Sequence, residues 1–178
     1  METKNTLQIR RLKESHTIKP FDCGDDDLNE FFIKDAILYQ KHRLAITYFE
    51  ENENQTIFFF SLANDRITTA DTTKYNKIGR NIPNAKRRRG GYPAVKIGRL
   101  GVSKNVQSSG IGTVVMDIIK NFVGLNNYPT GAKFLTVDAY NNERSIKYYE
   151  RNGFDFLTDE DSEQETRAMY YDLAKLEV

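Results

Sequence analysis

The chain has 178 residues, 39% of them hydrophobic and 12% aromatic, which is enough for one sizeable core without disulfides or a structural metal. Lys and Arg number 26 against 25 Asp and Glu, so a uniformly basic nucleic-acid coat is excluded and any contact with a polyanion must be local. The single cysteine, Cys23, excludes an intramolecular disulfide framework and a clustered-cysteine metal site, while His16 and His42 lie far apart with no carboxylate at ligand spacing, so no metal is expected.

Alternation in Thr6–Leu12 predicts a short first strand. Phe21-Asp22-Cys23-Gly24 reads as a turn, with Cys23 a small packed residue. Asp25, Asp26 and Asp27 supply an N-cap and first-turn acids to a helix whose apolar face is Leu28, Phe31, Phe32, Ala36 and Tyr39. Ala45–Glu50 and Thr56–Ala63, joined by Glu51-Asn52-Glu53-Asn54, predict an antiparallel hairpin, and the continuous apolar run of its second arm places that strand centrally. From Asn64 to Gly91 the regularity is lost, predicting a long loop with one helical turn that holds Pro83 and the basic cluster Lys86-Arg87-Arg88-Arg89.

Order returns at Ala94–Val102, a strand in which Val95, Ile97 and Arg99 alternate with Lys96, Gly98 and Leu100. Ser103–Gly112 then leads into a helix with the apolar face Val114, Val115, Ile118, Ile119 and Phe122. Lys133–Ala139 reads as a strand and Asn142–Arg151 as a helix; Phe154–Leu157 and Ala168–Leu173 close the sheet around an acidic turn. With no internal repeat and no linker, one α/β domain spanning residues 1–178 is expected. No apolar run approaches the roughly 20 residues of a membrane span. Met1–Asn5 leads into no signal-like apolar stretch, so a soluble cytoplasmic protein is expected.

Gln107-Ser108-Ser109-Gly110-Ile111-Gly112 joins a strand to a helix and sets unpaired backbone amides at the positive end of the helix dipole, where a pyrophosphate can sit. The glycines let the backbone approach closely, and Ser108 or Ser109 can cap the helix. A nucleotide-triphosphate loop needs Gly-Lys-Ser/Thr, and here Gly112 is followed by Thr113-Val114. A dinucleotide fingerprint needs a third glycine or alanine where Val115 stands.

What remains is Gln/Arg-x-x-Gly-x-Gly/Ala, and here the sequence resembles the GNAT acyltransferases, whose matching loop binds the pyrophosphate of acetyl-CoA; Gln107, Gly110 and Gly112 occupy the fixed positions. Downstream, Val137–Phe154 resembles the family's second signature, with Asn142, Tyr149, Gly153 and Phe154 matching and Ser145 in place of the usual alanine. The resemblance implies a GNAT fold: a mixed, mostly antiparallel sheet with flanking helices that splays near Val102, admitting acetyl-CoA between that strand and the one ending at Ala139. It implies cofactor contacts from the main chain of Leu100, Gly101 and Val102, from Gln107, Ser108, Ser109, Gly110, Ile111 and Gly112, and from Asn142 and Tyr149. It also implies that Tyr149 protonates the departing thiolate; the competing reading is a core aromatic, and Tyr148 is assigned to packing.

Phe21–Gly24, Leu28–Phe32 and Ile97–Val102 look like the GNAT toxins of toxin–antitoxin pairs, which acetylate the amino group of aminoacyl-tRNA. That likeness implies charged tRNA and a cognate antitoxin as partners and admits a homodimer. The alternatives are a GNAT enzyme for small-molecule or protein amines and a non-catalytic acyl-CoA-binding protein. Many family members carry a glutamate before the pyrophosphate loop as base, and Gly98-Arg99-Leu100 offers no acid there. An α-amine, with a reference pKa of about 8 against about 10.4 for lysine, needs that help least; Asp71 and Glu143 remain as carboxylates able to reach the site. Lys86, Arg87, Arg88 and Arg89, with Arg80, Lys96 and Arg99, can meet RNA phosphates, the CoA 3′-phosphate or an acidic antitoxin. Arg99 either forms a structural ion pair or faces a phosphate.

Overall fold

The computed structural model describes residues 9–79, 90–125 and 129–176. In chain order its elements are β1 (Arg10–Arg11), α1 (Asp26–Glu30), a π turn (Phe31–Asp35), α2 (Ala36–Lys41), β2 (Ile46–Glu51), β3 (Thr56–Ile67) and α3 (Tyr75–Ile78). There follow β4 (Tyr92–Val102), a 3-10 turn (Lys104–Val106), α4 (Ile111–Gly124), β5 (Phe134–Tyr140), α5 (Glu143–Arg151), β6 (Asp155–Phe156), β7 (Thr166–Asp172) and a second 3-10 turn (Leu173–Lys175). The described residues form a seven-stranded sheet in the order β1-β2-β3-β4-β5-β7-β6. Antiparallel pairs join β1 to β2, β2 to β3, β5 to β7 and β6 to β7, whereas β4 and β5 are parallel, paired over Ala94–Lys96 and Phe134–Thr136. This is the mixed, mostly antiparallel α/β architecture expected from the sequence.

The chain divides into two compact units, Met1–Ala63 with Gly98–Val115, and Asn64–Ile97 with Met116–Val178. The first is built on aromatic burial. Phe21, Phe31, Phe32, Phe49 and Phe59 pack with Leu12 and Ala36, and the Phe32 and Phe59 rings stack 4.5 Å apart. Asp25 caps α1 as its charge and position predict, its side chain accepting from Leu28 N at 3.1 Å. The π turn then admits an extra residue and shifts the inward face. Tyr39, expected in the core, is 38% exposed. Gln40 faces inward instead, donating to Leu12 O and accepting from Thr47 N, both at 3.0 Å.

In the second unit Ile67, Tyr92, Ala94, Phe134 and Leu157 form a core with Tyr75 and Ile78 packed on it. The expected loop onset at Asn64 is wrong: β3 runs on to Ile67, whose side chain is 1% exposed. Asp65 accepts a hydrogen bond from the Thr136 hydroxyl, so a polar stretch earns a place in the sheet through its partners rather than its hydropathy. α3 supplies the expected helical turn. The first strand spans only Arg10–Arg11 among the described residues, and positions 6–8 of its predicted span lie outside them. On α4 the inward face is one step off the expected one: Val115 and Ile119 are buried, Val114 is 42% exposed, and Met116, Lys120 and Val123 are buried in addition. Among the described residues no helix is long and apolar enough to cross a membrane.

Candidate active site

The two signatures lie in different units. In the first unit, β4 ends at Val102 and the chain turns through Ser103, whose amide donates to Ile57 O at 2.8 Å. Lys104 N donates to Asp22 O at 2.9 Å and its ammonium lies 2.8 Å from the Asp22 carboxylate. The Gln107 amide donates to both Cys23 O and Val102 O, at 2.8 Å each, stapling the loop to the strand end and to the Phe21–Gly24 turn. That turn is itself cross-braced. Asp22 accepts from Gly24 N and from Asn29 Nδ2, Asn29 accepts from Cys23 N, and Gly24 takes φ +87°. Lys104, Gly24 and Asn29 hold the Asp22 carboxyl below its ordinary pKa. Cys23 packs on the aromatic core as expected, and burial pushes its thiol up, which suits an inert packed residue.

Beyond Gln107 the backbone changes hand twice. Ser108 has φ +66° and Gly110 φ +83°, with Ser109 of ordinary hand between them. Such alternation turns successive N–H groups toward one side and makes a concave anion site. A side chain on Gly110 would meet nothing within 4 Å, so the conformation, not crowding, calls for glycine, and the space beside the loop is open. Helix α4 follows immediately at Ile111. These residues fit a diphosphate. The expected serine cap is corrected in one respect: the Ser109 hydroxyl donates back to Val106 O at 2.6 Å and is spent on the loop.

Gly101 is demanded by close approach, since a Cβ there would lie 2.7 Å from Phe59 Cε1 and 3.1 Å from Phe21 Cζ. Arg99 comes within ion-pair distance of one carboxylate. Its Nη1 donates to Gly98 O at 2.9 Å, its Nε lies 3.7 Å from Asp27, and its guanidinium stands 5.3 Å from the Phe31 ring centroid.

In the second unit, β5 leads through Asn141, whose amide group donates to Ser162 O and Gln164 O at 2.8 Å each, into Asn142. Asn142 is the N-cap of α5, accepting from Ser145 N at 2.9 Å, so its side chain has a local task. The helix ends in a Schellman motif. Gly153, at φ +78°, donates its N–H to Glu150 O at 2.9 Å, and Phe154 donates to Tyr149 O at 3.1 Å. The accompanying apolar contact is the Tyr149–Phe154 ring pair, 5.4 Å between centroids. The spacing Tyr149…Gly153-Phe154 is therefore a capping geometry: it fixes the backbone of the tyrosine that precedes the cap by three residues.

Tyr149 is buried, and burial pushes its phenol well above its ordinary pKa, so it stays protonated throughout the neutral range. Tyr148 packs edge-on against it at 5.1 Å. Of the two carboxylates held in reserve, Asp71 accepts from Thr68 N and Oγ1 at 2.5 and 2.7 Å, and Glu143 pairs with Lys147. Lys86, Arg87, Arg88, Arg89 and Arg80 lie outside the described residues. Sequence reasoning missed Lys120, a buried lysine whose ammonium reaches Asn152 at the end of α5. Its signal was a charge set four residues from Met116 in the apolar stripe of α4.

Solved structures with this fold include KacT, as a tyrosine-to-phenylalanine mutant, at 22% identity and TM-score 0.75 over 94% of this chain and 95% of that one. AtaT complexed with acetyl-methionyl-tRNAfMet matches at 22% identity and TM-score 0.74 over the same shares. AtaTR bound with acetyl-CoA matches at 21% and 0.71, over 94% of both chains. These likenesses establish the fold. No curated protein sequence matches. The model of the GNAT acetyltransferase family matches residues 25–154, a span that contains both signatures and most of the sheet. The chain belongs to the GNAT acetyltransferase family.

Proposed function

We propose that this protein is an acetyl-CoA-dependent N-acetyltransferase acting on the α-amine of aminoacyl-tRNA, a cytoplasmic toxin with a cognate antitoxin, and that residues 1–178 work as one domain. The observation that carries the catalytic reading is Tyr149: a buried, protonated phenol on a helix end capped by Gly153 and Phe154. Packing alone needs no hydroxyl at such a place, where phenylalanine would serve and spare the desolvation of a polar group.

In this mechanism the loop from Gln107 to Gly112 holds the diphosphate through backbone amides, and the main chain of Leu100–Val102 aligns the pantetheine arm. The acyl thioester supplies the activated carbonyl. A neutral amine attacks it, the C–N bond forms as the C–S bond breaks, and the Tyr149 phenol gives its proton to the departing sulfur. The amine's own proton leaves to water, and the phenolate of Tyr149 takes a proton back from solvent to close the cycle. The raised phenol pKa does not oppose this, because a thiolate released into dry surroundings is made more basic by the same desolvation. Asp71 and Glu143 are engaged locally, which supports an acceptor that needs no strong base.

The tRNA part of the proposal is supported by the likeness to AtaT and KacT and by the basic cluster Lys86–Arg89 in a chain of near-zero net charge. The structures of AtaT with acetyl-methionyl-tRNAfMet and with the C-terminus of the antitoxin AtaR indicate the partners to try. The test is transfer of radiolabelled acetyl from acetyl-CoA to bulk charged tRNA, beside deacylated tRNA and a panel of free amines. Label on charged tRNA alone is expected. Label on free amines alone would leave a GNAT enzyme of ordinary amines.

A further inference from the structure

The main-chain carbonyls at the end of helix α5 gather donors from beyond the helix as well as from the Asn152 N–H, which reaches Tyr148 O at 3.3 Å and Tyr149 O at 3.1 Å. Tyr149 O also takes Phe154 N–H and Glu150 O takes Gly153 N–H, as above, while Tyr148 O also takes the Asn152 side-chain amide at 2.8 Å. The carbonyl of Asn152, the C-cap residue, takes the ammonium of Lys120 at 2.7 Å. This lysine comes from α4, 32 residues earlier in the chain, with its side chain only 9% exposed. Its Nζ stands 4.4 Å from the Tyr171 ring centroid and 4.0 Å from Asp117. Tyr171 in turn packs on Phe154, the residue that closes the cap against Tyr149.

A buried ammonium is an expensive way to fill space. Burial pushes Lys120 below its ordinary pKa, with Lys175 adding to the fall and Asp117 opposing it. A methionine would occupy much the same volume without that desolvation, so stability alone does not account for a lysine here. What the ammonium adds is a positive charge at the negative end of the α5 dipole and a directed bond to its last carbonyl. Both act on the turn that aims Tyr149.

We infer that Lys120 is a positioning residue for acetyl transfer: seated on the Asn152 carbonyl and the Tyr171 ring, it fixes the capped end of α5 and thereby the direction of the Tyr149 phenol, and it acts on the reaction only through that phenol. The inference rests on the reading of Tyr149 as proton donor. Its signature is non-additivity, because two residues that serve one step cannot each be lost in full.

The experiment is a cycle of wild type, Lys120→Met, Tyr149→Phe and the double variant. Acetyl-transfer kcat and KM are measured for each, with acetyl-CoA binding stoichiometry counting the competent protein. Lys120→Met is expected to lower kcat about tenfold, as a sub-ångström misplacement of a catalytic group does, with KM for acetyl-CoA within about twofold and stoichiometry unchanged. In the Tyr149→Phe background the same change is expected to cost nothing further, and Lys120→Arg to recover most of the rate. Lys120→Gln, which keeps a neutral donor, is carried through the cycle should the methionine variant fail to fold. A full rate in Lys120→Met, or the same fold-loss in both backgrounds, would overturn the assignment of Lys120 alone. A wild-type rate in Tyr149→Phe would overturn the reading of Tyr149 beneath it.

Discussion

Gly153→Ala strikes the cap of α5 at the residue its geometry can least replace. The native φ of +78° lies in the left-handed region, where an L side chain costs about 1–2 kcal/mol. The new Cβ would also lie 3.3 Å from Tyr171 Cε2, and that ring is in contact with both Phe154 and the Lys120 ammonium, so it yields little. For a chain of this size each kcal/mol moves the melting temperature by about 2–4 °C, giving a fall of about 2–8 °C. Scanning calorimetry reads it, with Gly131→Ala as control, since a Cβ there meets nothing within 4 Å and the change should stay within about 0.5 kcal/mol of neutral. Gly153→Asn should fall between glycine and alanine, because asparagine tolerates the left-handed region. Transfer activity at a temperature where the variant is folded should drop by about tenfold or more, because the Tyr149 carbonyl hangs on this turn. An alanine variant that melts with the wild type and keeps its rate would refute the capping argument.

Three further outcomes can be measured, two from the geometry of the 22–24 and 107–112 turns and one from the sequence alone. Ser108 holds a left-handed φ of +66°, so Ser108→Gly should stabilise the loop, raising the melting temperature slightly while leaving acetyl-CoA affinity within about twofold, read by calorimetry. The Asp22 carboxyl is held below its ordinary value of 3.8 by Lys104, Gly24 and Asn29, so its contribution to stability is complete above that value and is lost as pH falls through the lowered one. Urea midpoints from about pH 6 to 2 should therefore fall less steeply for Asp22→Asn than for wild type; a parallel fall would contradict the brace. Replacing Lys86, Arg87, Arg88 and Arg89 by alanine should weaken tRNA binding and reduce the salt slope of log K by about 3, read by filter binding at graded salt, whereas an unchanged slope would remove the cluster from the RNA contact.

The features legible in the sequence are those whose cause is local. Asp25 at an N-cap and Gly110 in the turn before α4 announce themselves because a cap or a tight turn is a demand made by a few neighbours. The features that were not legible depend on partners distant in the chain. Asn64–Ile67 reads as loop until Asp65 meets Thr136 on β5. Tyr39 reads as core until the π turn shifts the phase and Gln40 takes the inward place between Leu12 and Thr47. Lys120 draws no reading from the sequence, because the carbonyl that gives it a reason to be buried belongs to Asn152, 32 residues away. The motif spacing singled out the 107–112 loop and Tyr149, but not the physical tasks of Gln107 and Asn142, whose side chains anchor the loop and cap α5.

The role of Tyr149 is tested most directly by separating binding from chemistry in Tyr149→Phe. The account predicts an acetyl-CoA dissociation constant within about twofold of wild type and a transfer rate lower by about 10²–10⁴, the range for loss of a general acid. Wild-type turnover in the phenylalanine variant would contradict it, and would return Tyr149 to the core as one more packed ring.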